Sequence, residues 1–278
     1  MIPEGRRFFK MSGSGNDFVF VDAREEPADD LQRPESIAAI CARGSGVGAD
    51  GVVFLLSPTS GGVVRMRYLN SDGSQAALCG NATLCTARLA GELDPAIGRE
   101  FLIETDSGPL GARFLSGIPE IALPPAQEVN ELLHIDLARG ERRMGYALVG
   151  VPHLVVLCED VDQADVTGRG RSLRYYRGFP HGANVNFVSG STMAGWHVRT
   201  YERGVEAETL ACGTGAVATA LLLGRWGEAG KDVQLSTRSG RSLRVRLHDP
   251  AAPALSGEAR IVFVGAFAEL PISDPATA

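Results

Sequence analysis

The sequence lacks an apolar run long enough to cross a membrane. Its best candidate, Ala216 to Leu223, is far short of the roughly 20 residues a spanning helix needs. The opening stretch MIPEGRRFFKMSGSGNDF holds no apolar core of signal-peptide length, so neither export nor a membrane partner is expected. No block of lysine or arginine is present and the net charge is −6, which argues against nucleic acid as a partner. Cysteines are five, an odd number without an export signal, which argues for reduced thiols in the cytoplasm over a disulfide framework. No C-x-x-C dithiol occurs. Cys79 and Cys85 have neither a nearby histidine nor a second cysteine pair, so no metal site is expected. GSGVGAD (44–50) lacks the G-x-G-x-x-G spacing and a strong preceding strand, which discounts a dinucleotide loop. No lysine-centred motif for pyridoxal phosphate is evident, and no cofactor is expected.

What is present is a globular composition, 44% hydrophobic and 22% charged, over a length of 278 that favours two domains. The chain also carries a weak internal repeat. GSGNDFVFVDA (13–23) answers to GVPHLVVLCED (150–160), and Gly48-Ala49-Asp50 to Gly182-Ala183-Asn184. Tyr68 answers to Tyr201, Leu78-Cys79-Gly80-Asn81 to Ala211-Cys212-Gly213-Thr214, and Thr105 to Gly108 answers to Thr237 to Gly240. These pairs are collinear at offsets of 132 to 137, too long for a solenoid and suited to two similar domains facing one another. The expected division is 1–122 and 126–260, with Leu123-Pro124-Pro125-Ala126 as the hinge and a strand near 261–272 returning to the first half.

Within each half the pattern is mainly short strands: MRYLN and HVRTY, FLIET and VQLST, LRVRL and RIVFV. Two helical stretches per half are expected, over 36–43 and 81–93 in the first and over 172–177 and 214–226 in the second. Ala216 to Leu223 is apolar on all faces, which marks a helix buried all round. The fold class is therefore α+β, two pseudo-symmetric domains, each a mainly antiparallel sheet wrapped around a buried central helix.

In both halves a Cys-Gly pair sits where a polar loop meets that helix. The first N–H groups of a helix have no intrahelical partner, and the macrodipole places partial positive charge there. Such a mouth favours a thiolate and can also hold a carboxylate. Inverting an α-carbon requires a base on one face and an acid on the other, and two thiols of similar pKa serve in either direction. Cys79 and Cys212 are the candidates. Cys41, Cys85 and Cys158 lie on apolar helix or strand patterns and are assigned to the core.

GSGNDFVFVD, GVGADG, YLNSDGSQAALCGN, FPHGANVNFV and YERGVEAETLACGTG together resemble the diaminopimelate epimerase family, over nearly the whole chain from residue 8 to about 270. The resemblance implies cofactor-independent conversion of LL-2,6-diaminopimelate to the meso form for lysine and peptidoglycan synthesis, with Cys79 and Cys212 exchanging base and acid roles. It implies that Gly80, Asn81, Gly213 and Thr214 receive the α-carboxylate on backbone N–H groups. Asn16, Asn70, Asn184, Glu202 and Arg203 would read the distal amino-acid end, which suits an Arg fork for a carboxylate and a Glu for an ammonium. His153 and His181 are both acid/base candidates by residue type; without a partner motif His153 is given a positioning role and His181 is left unassigned.

Two positions depart from the family pattern. Val151 stands where the family usually has Asn, so one distal amide is missing, and Ala82 stands where Gly is frequent. Two other readings stand beside the first: a two-cysteine racemase or epimerase of another amino acid, such as hydroxyproline or histidine, and a thiol redox or ligand-binding module on the same scaffold. The expected partner is a small amino-acid substrate, and a homodimer is compatible with the resemblance.

Overall fold

The computed structural model describes residues 5–76 and 78–268. These form two compact units: 5–121 (without 77) with 258–268, and 122–257. In the first, β1 (Arg7–Gly13) and β2 (Asn16–Asp22) form a hairpin, followed by α1 (Pro34–Cys41). Then come β3 (Gly51–Leu56), β4 (Val64–Asn70), α2 (Gly80–Leu93), β5 (Glu100–Thr105), β6 (Gly108–Leu115) and β7 (Ile118–Ala122). In the second unit β8 (Gln127–Asn130) pairs with β9 (Glu141–Val149), which forms a hairpin with β10 (Val151–Cys158). Next are α3 (Val166–Arg174), β11 (Asn184–Ser191), β12 (Gly195–Glu202), β13 (Ala207–Thr209) and α4 (Gly213–Arg225). The unit ends with β14 (Asp232–Ser236), β15 (Ser242–Arg246) and β16 (Ala254–Gly257). Last comes β17 (Ala259–Ala266), which joins the first unit as the antiparallel partner of β1. Of the return strand expected near 261–272, residues 269–272 lie outside the described residues.

Within each unit the ladders are antiparallel except at two joints. In the first unit β2 runs parallel to β3 and β4 to β5; in the second β10 runs parallel to β11 and β12 to β14. Parallel neighbours need a crossover, and the two helices of each unit supply it. The crossovers bury both faces of the sheet. Phe18, Val19, Phe20 and Val21 are therefore all buried, a continuous apolar run in place of strict alternation.

One sheet face of the first unit packs Val19, Val21, Val52 and Phe54 with Leu31, Ile37 and Ile40 from the α1 side. α2 contacts β1, β4 and β17, and its residues 80–87 are all buried. α4 contacts β9, β10, β11 and β15, with residues 213–220 buried. A helix enclosed in this way can carry no charged side chain along that stretch without a large desolvation cost.

α3 corrects the helix expected over 172–177. It begins earlier because the Asp165 carboxylate accepts a hydrogen bond from Gly168 N–H (2.8 Å), a cap the apolar pattern alone does not reveal. Val166, Gly170 and Leu173 form its buried stripe.

One carboxylate away from the helix mouths has a measurable signature. Glu104, 5% exposed, accepts hydrogen bonds from Thr59 N, Ser60 N, Gly62 N and Thr59 Oγ1. The Thr59 N–H leads in holding its pKa down, against the opposing effect of burial, and the Gly62 and Ser60 N–H groups bring it to about 2 from 4.5. A depressed acid stabilises the folded state fully above its unfolded pKa and loses that contribution as pH falls through the folded one. Glu104→Gln is expected to be less stable than the parent near neutral pH, with the gap closing between about pH 4.5 and pH 2. Thermal melts of both proteins across that window test this; a gap independent of pH would contradict it.

Candidate active site

Cys79 and Cys212 are the N-cap residues of α2 and α4, with φ/ψ of −134°/114° and −133°/112°. Their carbonyls accept the first intrahelical bonds, from Thr83 N and Ala216 N, both at 2.9 Å. No side-chain cap hydrogen bond is made at either helix start. The N–H groups of Gly80 and Asn81, and of Gly213 and Thr214, therefore belong to first turns, where an anion is the natural acceptor. Cys212 Sγ lies 3.7 Å from Thr214 Oγ1.

Both N-cap cysteines are half-buried, whereas Cys41, Cys85 and Cys158 are buried. Burial raises the Cys41 and Cys158 thiols to about 12, and it pushes Cys85 well up, with neighbouring Cys79 adding to the effect. Those three remain protonated across any working pH. That excludes them as bases.

A polar network supports the α2 mouth. Asn81 Nδ2 donates to Asn16 Oδ1 (2.6 Å), and Asn16 Nδ2 donates to Asp50 Oδ2 (3.1 Å). Arg43 bridges Asp50 and Asp17, and Lys10 pairs with Asp17 at 2.6 Å while also donating to the Gly48 carbonyl. Burial works to raise the Asp17 pKa, but Arg43 and Lys10 outweigh it and hold the carboxyl below its ordinary value. The amide of Asn16 is thus oriented by a charge network of four residues. Asn70, at the end of β4 opposite Gly51, instead donates to Ser74 Oγ (3.0 Å) in a turn closed by Gly73 N to its carbonyl.

In the second unit Asn184 Oδ1 accepts from Arg203 N (2.8 Å), and its Nδ2 reaches the Pro152 carbonyl at 3.4 Å. Asn184 therefore braces the loop after β12. Glu202 ends that strand, and its carbonyl accepts Glu206 N. Arg203 Nη1 donates to the His181 carbonyl (3.3 Å).

Glu206 holds the loop from its far side, at φ +57°. Its carboxylate accepts Gly204 N (3.0 Å) and pairs with Arg174, and its carbonyl accepts Tyr201 OH. A non-glycine residue at positive φ is strained, and this set of bonds is what retains it. Val151 opens β10 opposite Val149 and contributes no polar group.

His153 is fully buried and sits on β10 opposite Asn184. Its Nδ1 lies 3.2 Å from Asn186 Nδ2. Burial, with Arg203 adding repulsion, lowers its pKa to about 3, so the ring is neutral.

The supporting residues Asp50, Arg43, Lys10, Asn186, Glu206 and Arg174 were not singled out in the sequence. A signal existed for one of them. Asn186 interrupts an otherwise apolar strand, VNFV, and asparagine is depleted in strands.

Among the described residues no group of three or more His, Cys, Asp or Glu could hold a metal ion, and no helix is long and apolar enough to cross a membrane.

The fold is shared with a phenazine biosynthesis protein of Bacillus anthracis (16% identity, 95% of this chain and 99% of that one, TM-score 0.70). It is also shared with a hydroxyproline epimerase of Agrobacterium vitis (16% identity, 94% of this chain and 92% of that one, TM-score 0.68). This α+β class presents a cysteine-headed buried helix in each unit here, and the chain is an isomerase of the epimerase kind.

It belongs to the diaminopimelate epimerase family, whose pattern matches residues 8–115 and 145–262. It is 46% identical to the diaminopimelate epimerase of Gemmatimonas aurantiaca over 95% of this chain and 99% of that one. To that of Aquifex aeolicus it is 37% identical, over 94% and 98% respectively.

Proposed function

We propose that the chain converts LL-2,6-diaminopimelate to meso-diaminopimelate without a cofactor, with Cys79 and Cys212 as the thiolate and thiol. The observation that carries this reading is the repetition of one local geometry. Two buried helices begin on a half-buried cysteine with backbone angles that agree within about 2°, in two units of like strand order. Relatives named diaminopimelate epimerase supply the substrate.

In this mechanism the thiolate takes the α-proton, becoming a thiol, and the electron pair left on carbon delocalises into the carboxylate. First-turn N–H groups stabilise the charge that develops there. The second thiol gives its proton to the opposite face and is left as a thiolate. Substrate recognition at the distal end falls to Asn16, Asn70, Asn184, Glu202 and Arg203, with His153 as a positioning residue.

Turnover in deuterated water tests the reading. Each inverted α-carbon is expected to carry deuterium, read by mass spectrometry after chiral separation of the isomers. A redox or ligand-binding module would leave the α-hydrogen in place. Activity on hydroxyproline or histidine in preference to LL-diaminopimelate would overturn the substrate assignment and leave the chemistry standing.

A further inference from the structure

His153 carries a buried ring nitrogen, Nε2, with no hydrogen-bond partner, and its other nitrogen faces an amide whose orientation is determined. Asn186 Nδ2 lies 2.9 Å from the Leu154 carbonyl, a group that can only accept. Reversing the amide would set two oxygens against one another, so Nδ2 must point that way. Its oxygen then accepts from Thr200 Oγ1 at 3.0 Å, which closes the arrangement. One Nδ2 proton goes to Leu154. The other points at His153 Nδ1, which must therefore be the acceptor, and the ring proton resides on Nε2.

The lock lies against the first turn of α4. A Cβ on Gly215 would come within 2.2 Å of Asn186 Oδ1 and 3.2 Å of Cys212 Cβ. Only glycine allows the helix to begin this close to the amide. Protonating the ring would put two donors face to face at Nδ1, and the Arg203 charge adds to that penalty.

We propose that Asn186, held by the Leu154 carbonyl and Thr200, is a positioning residue that keeps His153 as a neutral Nε2–H donor for the reacting groups. A ring fixed in this way cannot serve as a base, because Nε2 already carries its proton and Nδ1 is occupied. Its contribution is one hydrogen-bond donor, available to a thiolate or to a substrate oxygen. This role rests on the epimerase reading, whereas the tautomer itself does not.

Nitrogen-15 NMR of the histidine-labelled protein reads the tautomer without any variant. The expected spectrum shows His153 with Nε2 protonated and Nδ1 bare, unchanged from about pH 5 to pH 9, whereas an unperturbed histidine titrates near 6.5. A spectrum with Nδ1 protonated, or an imidazolium forming within that range, would overturn the lock.

Asn186→Asp supplies an acceptor at Nδ1 and is expected to move the ring proton there. With it, kcat should fall by about 10²-fold while KM changes by less than about threefold. Asn186→Gln is expected to restore less than half of the lost rate, since the longer amide cannot keep both contacts. A flipped tautomer with undiminished kcat would remove Asn186 from the reaction. Absence of deuterium exchange by the parent protein would remove the epimerase reading and leave the NMR result intact.

Discussion

Replacing Cys79 or Cys212 by alanine is expected to abolish inversion while leaving each variant able to exchange the α-proton of one epimer only. The remaining cysteine still sits at a helix N-terminus, with first-turn N–H groups beside it that suit a carboxylate. It can remove a proton from the face it sees and return a solvent deuteron to that same face. Nothing delivers a proton to the other face, so the stereocentre is retained. Cys79→Ala and Cys212→Ala should exchange opposite epimers, and the inversion rate in each should fall by about 10⁴-fold, the upper range for losing one proton-transfer group. Chiral chromatography coupled to mass spectrometry separates exchange from inversion. Normal inversion by either variant would sink the two-thiol reading, and exchange of the same epimer by both would show that the thiols do not divide the faces between them.

The second large effect is expected at Arg203. Its backbone N–H is anchored on Asn184 Oδ1 and its guanidinium reaches the His181 carbonyl, so the residue is already oriented before substrate arrives. A guanidinium donates two parallel charged hydrogen bonds to a carboxylate, each worth roughly 1.5–3 kcal/mol. Arg203→Ala should therefore lower kcat/KM by about 10²- to 10³-fold, carried mainly by KM, because the distal carboxylate is bound equally in ground and transition states. Arg203→Lys keeps the charge but not the fork, and should recover only part of the loss. A substrate analogue lacking the distal carboxylate provides the second arm of a cycle. It should be poor for the parent and no worse for Arg203→Ala. An equal further drop with the analogue would place Arg203 outside the distal site.

Much of this arrangement is legible in the sequence. Cys79-Gly80 and Cys212-Gly213 stand at polar-to-apolar transitions, and a helix boundary is a local event set by the pattern on either side of it. The start of α3 was missed for the complementary reason. Asp165 caps that helix through one side-chain bond to Gly168, and an isolated Asp before a weakly apolar stretch has many other fates. The support of the site was less accessible still. Asn16 is oriented by Asp50, 34 residues away, and Asn81 by Asn16 across 65 residues. No spacing rule links such positions, because ladder pairing brings them together only once the sheet has formed.

The same limit applies to His153. Its place among candidate residues could be read from the motif Gly-Val-Pro-His, but its protonation state could not. That state depends on complete burial and on the Leu154 carbonyl fixing an amide from the adjacent parallel strand. The sequence by itself determined most of the element pattern, the repeated cysteine-headed helices and the set of polar residues available for recognition. These follow from local periodicity, capping and composition, which act over a few residues. Tertiary structure alone decided which of those polar groups are locked, which thiols stay protonated and which ring nitrogen carries the proton. Those outcomes depend on desolvation and on hydrogen bonds between distant segments, and neither exists until the chain has folded.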